Sequence, residues 1–347
     1  MPIKNAFDFF IQLHLTERCN LRCSHCYQTG RRPDEMSFGE IEDAIEEISE
    51  TVDIWKKTYR IDYSTSFNVT GGEPFLRSDL FDILSFIISH GFETYLLTNG
   101  ILIDRKKAEG LFNLGVNGVQ VSIEGPADVH DDIRGQGSFD ASLRGIRYLL
   151  DAGMQVTLNA TLSKRNADFF MDIISLASML GVQRVGFSRL VPSGRGKGML
   201  GEMLDAGTVR QLYEKIFATE CRGLKIVTGD PVASVFTSRH NNFDSGDTAI
   251  GGCAAGISGL TILPDGTLLP CRRLYLPLGN IRRDSFREVW ATSGVLLSLR
   301  DRKSYRGKCG DCSRWSECRG CRAIAYAFSR AHGENDFLAE DPQCFVE

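Results

Sequence analysis

Phe10-Ile11-Gln12-Leu13-His14-Leu15-Thr16-Glu17-Arg18-Cys19-Asn20-Leu21-Arg22-Cys23-Ser24-His25-Cys26-Tyr27 is the stretch on which the reading of this chain turns. Phe10 to Thr16 alternates apolar and polar residues as a strand does, and the strand runs straight into the cysteines. Thiolates at 19, 23 and 26 on one short loop can hold three irons of a cubane, with no fourth protein ligand. One iron is then left open for a cofactor to chelate, which suits catalysis better than electron storage. A zinc site completed by His25 or His14 is the alternative.

Beyond the loop, Ser37 with Glu40 makes a capping box, and Ile41, Ala44, Ile45, Ile48, Val52 and Trp55 follow helical spacing. Strands are then expected near 65–70, 92–98, 118–123, 154–162 and 183–190, with helices near 79–90, 104–114, 139–152 and 166–180 between them. Alternation of this kind implies a parallel sheet. Six strand–helix repeats fall short of the eight of a closed barrel. The expected fold class is therefore α/β, an open partial (β/α)6 barrel.

From residue 191 the texture changes. Pro192-Ser193-Gly194-Arg195-Gly196 reads as a loop, a bridging helix follows near 208–219, and Leu260 to Leu269 reads as a hairpin turning at Pro264-Asp265-Gly266. The expected organisation is a barrel over 1–195, a bridging segment over 196–235 and a cysteine-rich module over 236–347.

Across 347 residues the chain is 42% hydrophobic and 24% charged, with a net charge of −4. These values are ordinary for a globular protein and point to neither nucleic acid nor an anionic membrane. No signal peptide is evident, and no segment reaches the roughly 18 apolar residues of a membrane span. A cytoplasmic protein is expected, where eleven cysteines would stay reduced and serve metals rather than disulfides. Three lie at 19, 23 and 26, and eight between 221 and 344, so two metal-binding regions flank a cysteine-free core.

Cys19-Asn20-Leu21-Arg22-Cys23-Ser24-His25-Cys26-Tyr27 resembles the signature loop of the radical S-adenosylmethionine (SAM) superfamily, and Gly71-Gly72-Glu73-Pro74 is similar to its second motif. The resemblance spans about residues 8 to 195 and implies that S-adenosyl-L-methionine chelates the open iron of a 4Fe–4S cluster. One electron would then cleave it to a 5′-deoxyadenosyl radical. By the same resemblance, Gly71 and Gly72 let the backbone approach the ligand and Glu73 takes the methionine ammonium. Tyr27 lies against the adenine, and Ser122 and Arg134 hold the methionine carboxylate. Asn99, Glu124, Asn159 and Leu190 complete the implied pocket.

Toward the C-terminus, Cys309-x2-Cys312-x5-Cys318-x2-Cys321, with Cys253 and Cys271 before it and Cys344 after, provides seven sulfurs and implies two sites. The pattern resembles the SPASM extension of radical SAM maturases, which houses two auxiliary 4Fe–4S clusters. The familiar version has three residues before the last cysteine of the dense run, where this chain has only Arg319 and Gly320. Carried over by position, Cys253, Cys271 and Cys321 would hold the inner cluster, and Cys309, Cys312, Cys318 and Cys344 the outer one. Three clusters in all are thus implied, one binding SAM and two auxiliary. A pair of zinc sites is the alternative for these sulfurs. Cys221 reads as a buried small residue.

The resemblance implies hydrogen abstraction followed by oxidation or cross-linking, with a flavodoxin or ferredoxin as electron donor. A peptide or protein substrate leads, and maturation of a small cofactor precursor is the alternative: haem-precursor decarboxylation or tungsten-cofactor assembly. The first strand begins about nine residues from Met1, which leaves no room for a leader-binding domain, so the peptide reading needs a separate leader-peptide recognition protein. A non-catalytic iron–sulfur or zinc redox carrier or sensor is the reading from another class, and Gly71-Gly72-Glu73-Pro74 argues against it. No catalytic base stands out.

Overall fold

The computed structural model describes residues 6–30, 33–237, 248–249 and 251–346. Strands β1 (Ala6–His14), β2 (Asp62–Thr70), β3 (Glu93–Thr98), β4 (Gly118–Ser122), β5 (Val156–Leu162), β6 (Arg184–Arg189) and β7 (Lys225–Val227) run parallel in that order. Helices α1 (Phe38–Tyr59), α2 (Leu80–Ser89), α3 (Arg105–Leu114), α4 (Ala127–Arg134), α5 (Ser138–Asp151), α6 (Phe170–Leu180) and α7 (Ala206–Ala218) connect or follow them. The expected alternation is present. Helix α4 was not expected from the sequence, because a polar stretch with only His130 and Ile133 buried carries too little periodicity to reveal it.

Helix α1 shows how the layers join. Ser37 caps it, with the Glu40 amide donating to the hydroxyl and the Ser37 amide donating to the Glu40 carboxylate at 2.8 Å. Its face of Ile41, Ile45, Ile48, Val52 and Trp55 packs into the core with Phe9, Ile11 and Leu13 of β1. Burial of each such side chain stabilises by about 1.5–3 kcal/mol.

The sheet extends further than six strands. β8 (Gly259–Ile262) pairs parallel with β1, and β9 (Thr267–Leu269) and β10 (Gly279–Asn280) continue antiparallel, giving the order β10-β9-β8-β1-β2-β3-β4-β5-β6-β7. The expected hairpin is β8–β9. It adds to the barrel's first strand, so one sheet spans both halves of the chain, and among the described residues no pairing joins β7 to β10. The expected module boundary at 236 adjoins residues 238–247, and its C-terminal limit is 347, both outside the described residues. Among the described residues no helix is long and apolar enough to cross a membrane.

Register positions the site. β1 and β2 align from Ala6 opposite Asp62 to His14 opposite Thr70, so the cysteine loop and Gly71-Gly72 emerge side by side. β4 and β5 set Ser122 opposite Asn159. Apart from Asn159, midway along β5, these lie at carboxyl ends of parallel strands, where such folds bind ligands.

Candidate active site

The cysteine loop is clamped by backbone. The Gly72 amide donates to the Thr16 carbonyl at 2.7 Å and the Glu73 amide to the Arg18 carbonyl at 2.9 Å. A Cβ on Gly71 would stand 2.7 Å from the Thr16 carbonyl oxygen, and one on Gly72 would overlap the Arg18 carbonyl. The close approach that requires these glycines is therefore to the cysteine loop itself. Their expected service to a ligand is joined by a structural one.

Cys19, Cys23 and Cys26 line one cavity with Tyr27, Gly71, Gly72, Asn99, Ser122, Arg134 and Asn159. Seven of the ten residues expected to contact SAM thus meet the three thiols. Donors face the sulfurs: the Leu21 amide at 3.4 Å and the Asn99 side-chain amide at 4.0 Å from Cys19, and the Arg134 guanidinium at 3.9 Å from Cys23. Burial pushes the Cys19 thiol up to about 11 and raises Cys26 as well, so a cation is needed to hold these sulfurs as thiolates. The donor set fits a three-thiolate cluster. Leu21 and Asn99 would steady Cys19 and Arg134 would steady Cys23.

Histidines give a zinc site little help. His25 Nε2 lies 3.4 Å from Glu124, and burial drives its imidazole down to about 4. His14 Nε2 faces the Tyr27 hydroxyl at 3.5 Å. Among the described residues no three Cys, His, Asp or Glu side chains converge tightly enough to hold a single metal ion.

Glu73, Glu124 and Leu190 are placed away from the cavity wall. The Glu73 carboxylate is fully buried and accepts from Thr98 Oγ1 at 2.8 and 2.9 Å, from the Asn99 amide at 2.9 Å and from the Phe75 amide at 3.3 Å. Its oxygens tie the end of β2 to the end of β3, so the residue expected at the methionine ammonium also has a positioning role. Burial raises this carboxyl to about 7, against the pull of those hydrogen bonds. Glu124 accepts from Arg134 at 2.9 and 2.5 Å and from the Thr161 amide at 2.8 Å. Burial would raise its pKa, but Arg134, His25 and the amide outweigh it and hold Glu124 low. Arg134 therefore spends much of its donor fork on Glu124. Leu190 packs among Val191, Met199 and Met203.

Sequence reasoning left Arg195, Arg272 and Arg273 out of the cavity, and all three line it. The loop Pro192–Gly196 clasps the cysteine loop, through Arg195 amide to Gln28 carbonyl at 3.2 Å and Gly196 amide to Cys26 carbonyl at 3.0 Å. Gly194, at φ 57°, sits where any Cβ would collide with the Tyr27 carbonyl. The pair Arg272-Arg273 directly after Cys271 was the available signal.

In the C-terminal half, Cys309, Cys312, Cys318 and Cys344 line a second cavity. Cys253, Cys271 and Cys321 pack together in a separate cluster with Leu190 and Leu274. Arg319 and Gly320, the shortened spacing, both take the left-handed conformation at φ 63° and 60°. Two successive left-handed residues turn the chain sharply enough to do without the missing third. The strain at Arg319 is offset by its guanidinium, which donates to the Ser316 and Cys253 carbonyls at 2.8 Å each. Cys221 is partly buried against the main core.

One arginine locks the halves together. Buried Arg189, at the end of β6, donates to Asp230 at 2.6 and 2.9 Å, to Asp341 at 3.1 and 2.8 Å and to Gln343 at 3.0 Å. Asp341 in turn accepts from the Cys321 amide at 2.8 Å.

Comparison with known proteins agrees with this geometry. The radical SAM superfamily model matches residues 13–177, and the SPASM iron–sulfur cluster-binding domain model matches 253–322. The AdoMet-dependent heme synthase of Methanosarcina barkeri is 32% identical, over 96% of this chain and 95% of that protein. That of Oleidesulfovibrio alaskensis is 30% identical, over 96% and 86%. The mycofactocin maturase MftC of Mycobacterium tuberculosis is 30% identical, over 90% and 78%. Among solved structures, Streptococcus suis SuiB bound to S-adenosylmethionine superposes with a TM-score of 0.75 at 16% identity, covering 98% of this chain and 78% of that one. The likeness to SuiB is one of fold.

Proposed function

This chain belongs to the radical SAM superfamily and carries a SPASM iron–sulfur domain, and from that premise we propose that it oxidises a small cofactor precursor of the tetrapyrrole kind. A 4Fe–4S cluster with bound SAM supplies a 5′-deoxyadenosyl radical, which abstracts hydrogen from the substrate. Cys19, Cys23 and Cys26 would hold that cluster, while Asn99, Ser122 and Asn159, with Arg134 beside Cys23, would orient SAM. Cys253, Cys271 and Cys321 would hold an inner auxiliary cluster, and Cys309, Cys312, Cys318 and Cys344 an outer one, and such clusters would take up the leftover electron.

One observation carries the substrate class. A cavity of about 460 Å³ lies between the Pro192–Gly194 loop and the helix Arg322–Ala331, and it shares Tyr27, Arg272 and Arg273 with the SAM cavity. That size suits a small molecule held beside the radical source. Relatives matched along nearly the whole chain are named for haem and related products, Fe-coproporphyrin III synthase and pre-heme d1 synthase among them. Peptide modification is the second reading, favoured by the likeness to MftC. A cytoplasmic location and a ferredoxin or flavodoxin donor go with either.

Anaerobic reconstitution with iron and sulfide quantitation, coupled to assay of 5′-deoxyadenosine, tests the proposal. About twelve irons, with 5′-deoxyadenosine formation stimulated by Fe-coproporphyrin III, is the expected result. SAM cleavage indifferent to every tetrapyrrole would put the peptide reading first. No cleavage from cluster-replete protein would sink both.

A further inference from the structure

A buried positive charge lies against the sulfurs of Cys309, Cys312, Cys318 and Cys344, and its meaning rests on the reading above that these four hold the outer cluster. Arg322, wholly buried, begins the helix Arg322–Ala331, with its guanidinium 5.0 Å from the centre of the Tyr305 ring. Nη1 donates to the Ala339 carbonyl at 2.6 Å and to the Phe337 carbonyl at 3.3 Å, and Nη2 donates to Cys309 Sγ at 3.5 Å. Nε is buried without a partner. Among the described residues no carboxylate pairs with this guanidinium. Asp341, whose charge it feels at longer range, has both oxygens taken by Arg189 and by the Gln343 and Cys321 amides.

The sulfurs present the complementary misfit. Burial pushes the Cys318 thiol up to about 12 and raises Cys309 and Cys344, and the Arg322 charge is the largest influence pulling Cys309 back. The cavity that the four cysteines line has a volume of about 490 Å³, and among the described residues no three metal-binding side chains converge tightly enough for a single ion. That room suits a 4Fe–4S core, which with four thiolates is an anion, and more so once reduced. Arg319, also buried, gives its donors to the Trp315, Ser316, Gly251 and Cys253 carbonyls and none to a sulfur.

A guanidinium withdrawn from water needs an anion beside it, and here the sulfurs are what it meets. A fixed positive charge in a medium of low dielectric favours the more negative, reduced form of its neighbour, and a hydrogen bond to sulfur acts in the same direction. We infer that Arg322, acting through Cys309, is the counter-charge of the outer auxiliary cluster and holds its reduction potential high. The outer site is thereby made easier to reduce than its four thiolates alone would leave it.

The test is a redox titration of the reconstituted holoenzyme followed by EPR, in which the signal that Cys312→Ala removes identifies the outer cluster. In Arg322→Gln the midpoint of that signal should fall by about 59 mV or more, tenfold in the one-electron reduction equilibrium. The signal that Cys23→Ala removes should stay within about twofold on the same scale. Arg322→Lys, which keeps the charge without the planar fork, should recover most of the fall. An outer midpoint unmoved in Arg322→Gln overturns the proposal, and so does an equal fall in Arg322→Lys, because shape rather than charge would then be responsible. Pulsed EPR on the unmodified enzyme grown with isotopically labelled arginine gives a second reading that does not depend on Arg322→Gln loading its iron. Arginine nitrogen should couple to the outer cluster's signal and the coupling should vanish in Arg322→Lys; no coupling in the unmodified enzyme overturns the proposal. Zinc in place of iron at the four cysteines would fail the cluster reading itself, a result that metal analysis separates from failure of the charge effect.

Discussion

The N-terminal cysteine loop and the C-terminal cysteines are held in place by different means. Cys19 and Cys26 are partly exposed beside an open cavity, at strand ends aligned by sheet register. Cys253, Cys309, Cys318 and Cys321 are buried and Cys271, Cys312 and Cys344 partly exposed, and the Ser316 and Cys253 carbonyls accept from the buried Arg319 guanidinium. The first setting is built to admit a ligand, and its order comes from the sheet. The second setting depends instead on an arginine satisfying irregular backbone.

The sharpest way to break this comparison is Cys23→Ala. It should abolish 5′-deoxyadenosine formation and remove about four of roughly twelve irons, leaving the C-terminal sites loaded. Iron lost in equal proportion from both halves would mean that the two settings are not independent.

Arg189→Met probes the joint between them. It leaves Asp230 and Asp341 buried without a counter-charge, an expected cost of about 3–5 kcal/mol, read as a lower unfolding midpoint in denaturant. Early proteolysis in the C-terminal half before the barrel opens would locate the loss.

Glu73 offers a pH test of the first setting. Its carboxyl is raised by burial from the ordinary 4.5 to about 7, so the folded chain binds the extra proton between those values. Stability from this group is fully present below about pH 4.5 and is lost as pH rises through about 7, by on the order of 3 kcal/mol. Glu73→Gln should flatten that slope in a urea titration series. An unchanged slope would mean that the proton sits elsewhere.

The smallest expected effect comes from Gly72→Ala, which pushes a methyl group into the Arg18 carbonyl. A stability cost of about 1–3 kcal/mol is expected, with iron lost selectively from the N-terminal loop and the auxiliary sites spared.

Much of the architecture was legible. The period-2 and period-3.6 patterns of β1 and α1 survive intact because each element buries one continuous face in the core. Of the seven cavity-lining residues expected to contact SAM, Gly71, Gly72, Asn99 and Ser122 were readable because they sit at or just past strand ends, where sequence position and spatial position coincide. Glu73 and Glu124 escaped because an ionisable side chain serves whichever donors surround it, and Thr98, Asn99, Thr161 and Arg134 come from other strands and helices.

By itself the sequence determined that Cys19, Cys23 and Cys26 share one short loop and that motif order along alternating strands sets the sheet, while the grouping of the C-terminal cysteines came from the family resemblance. Tertiary structure alone decided that β8 extends the barrel's own sheet through β1 and that Arg189 joins halves 152 residues apart in the chain. Local spacing is fixed by covalent geometry, whereas these pairings depend on which distant groups the packed core brings within hydrogen-bonding reach.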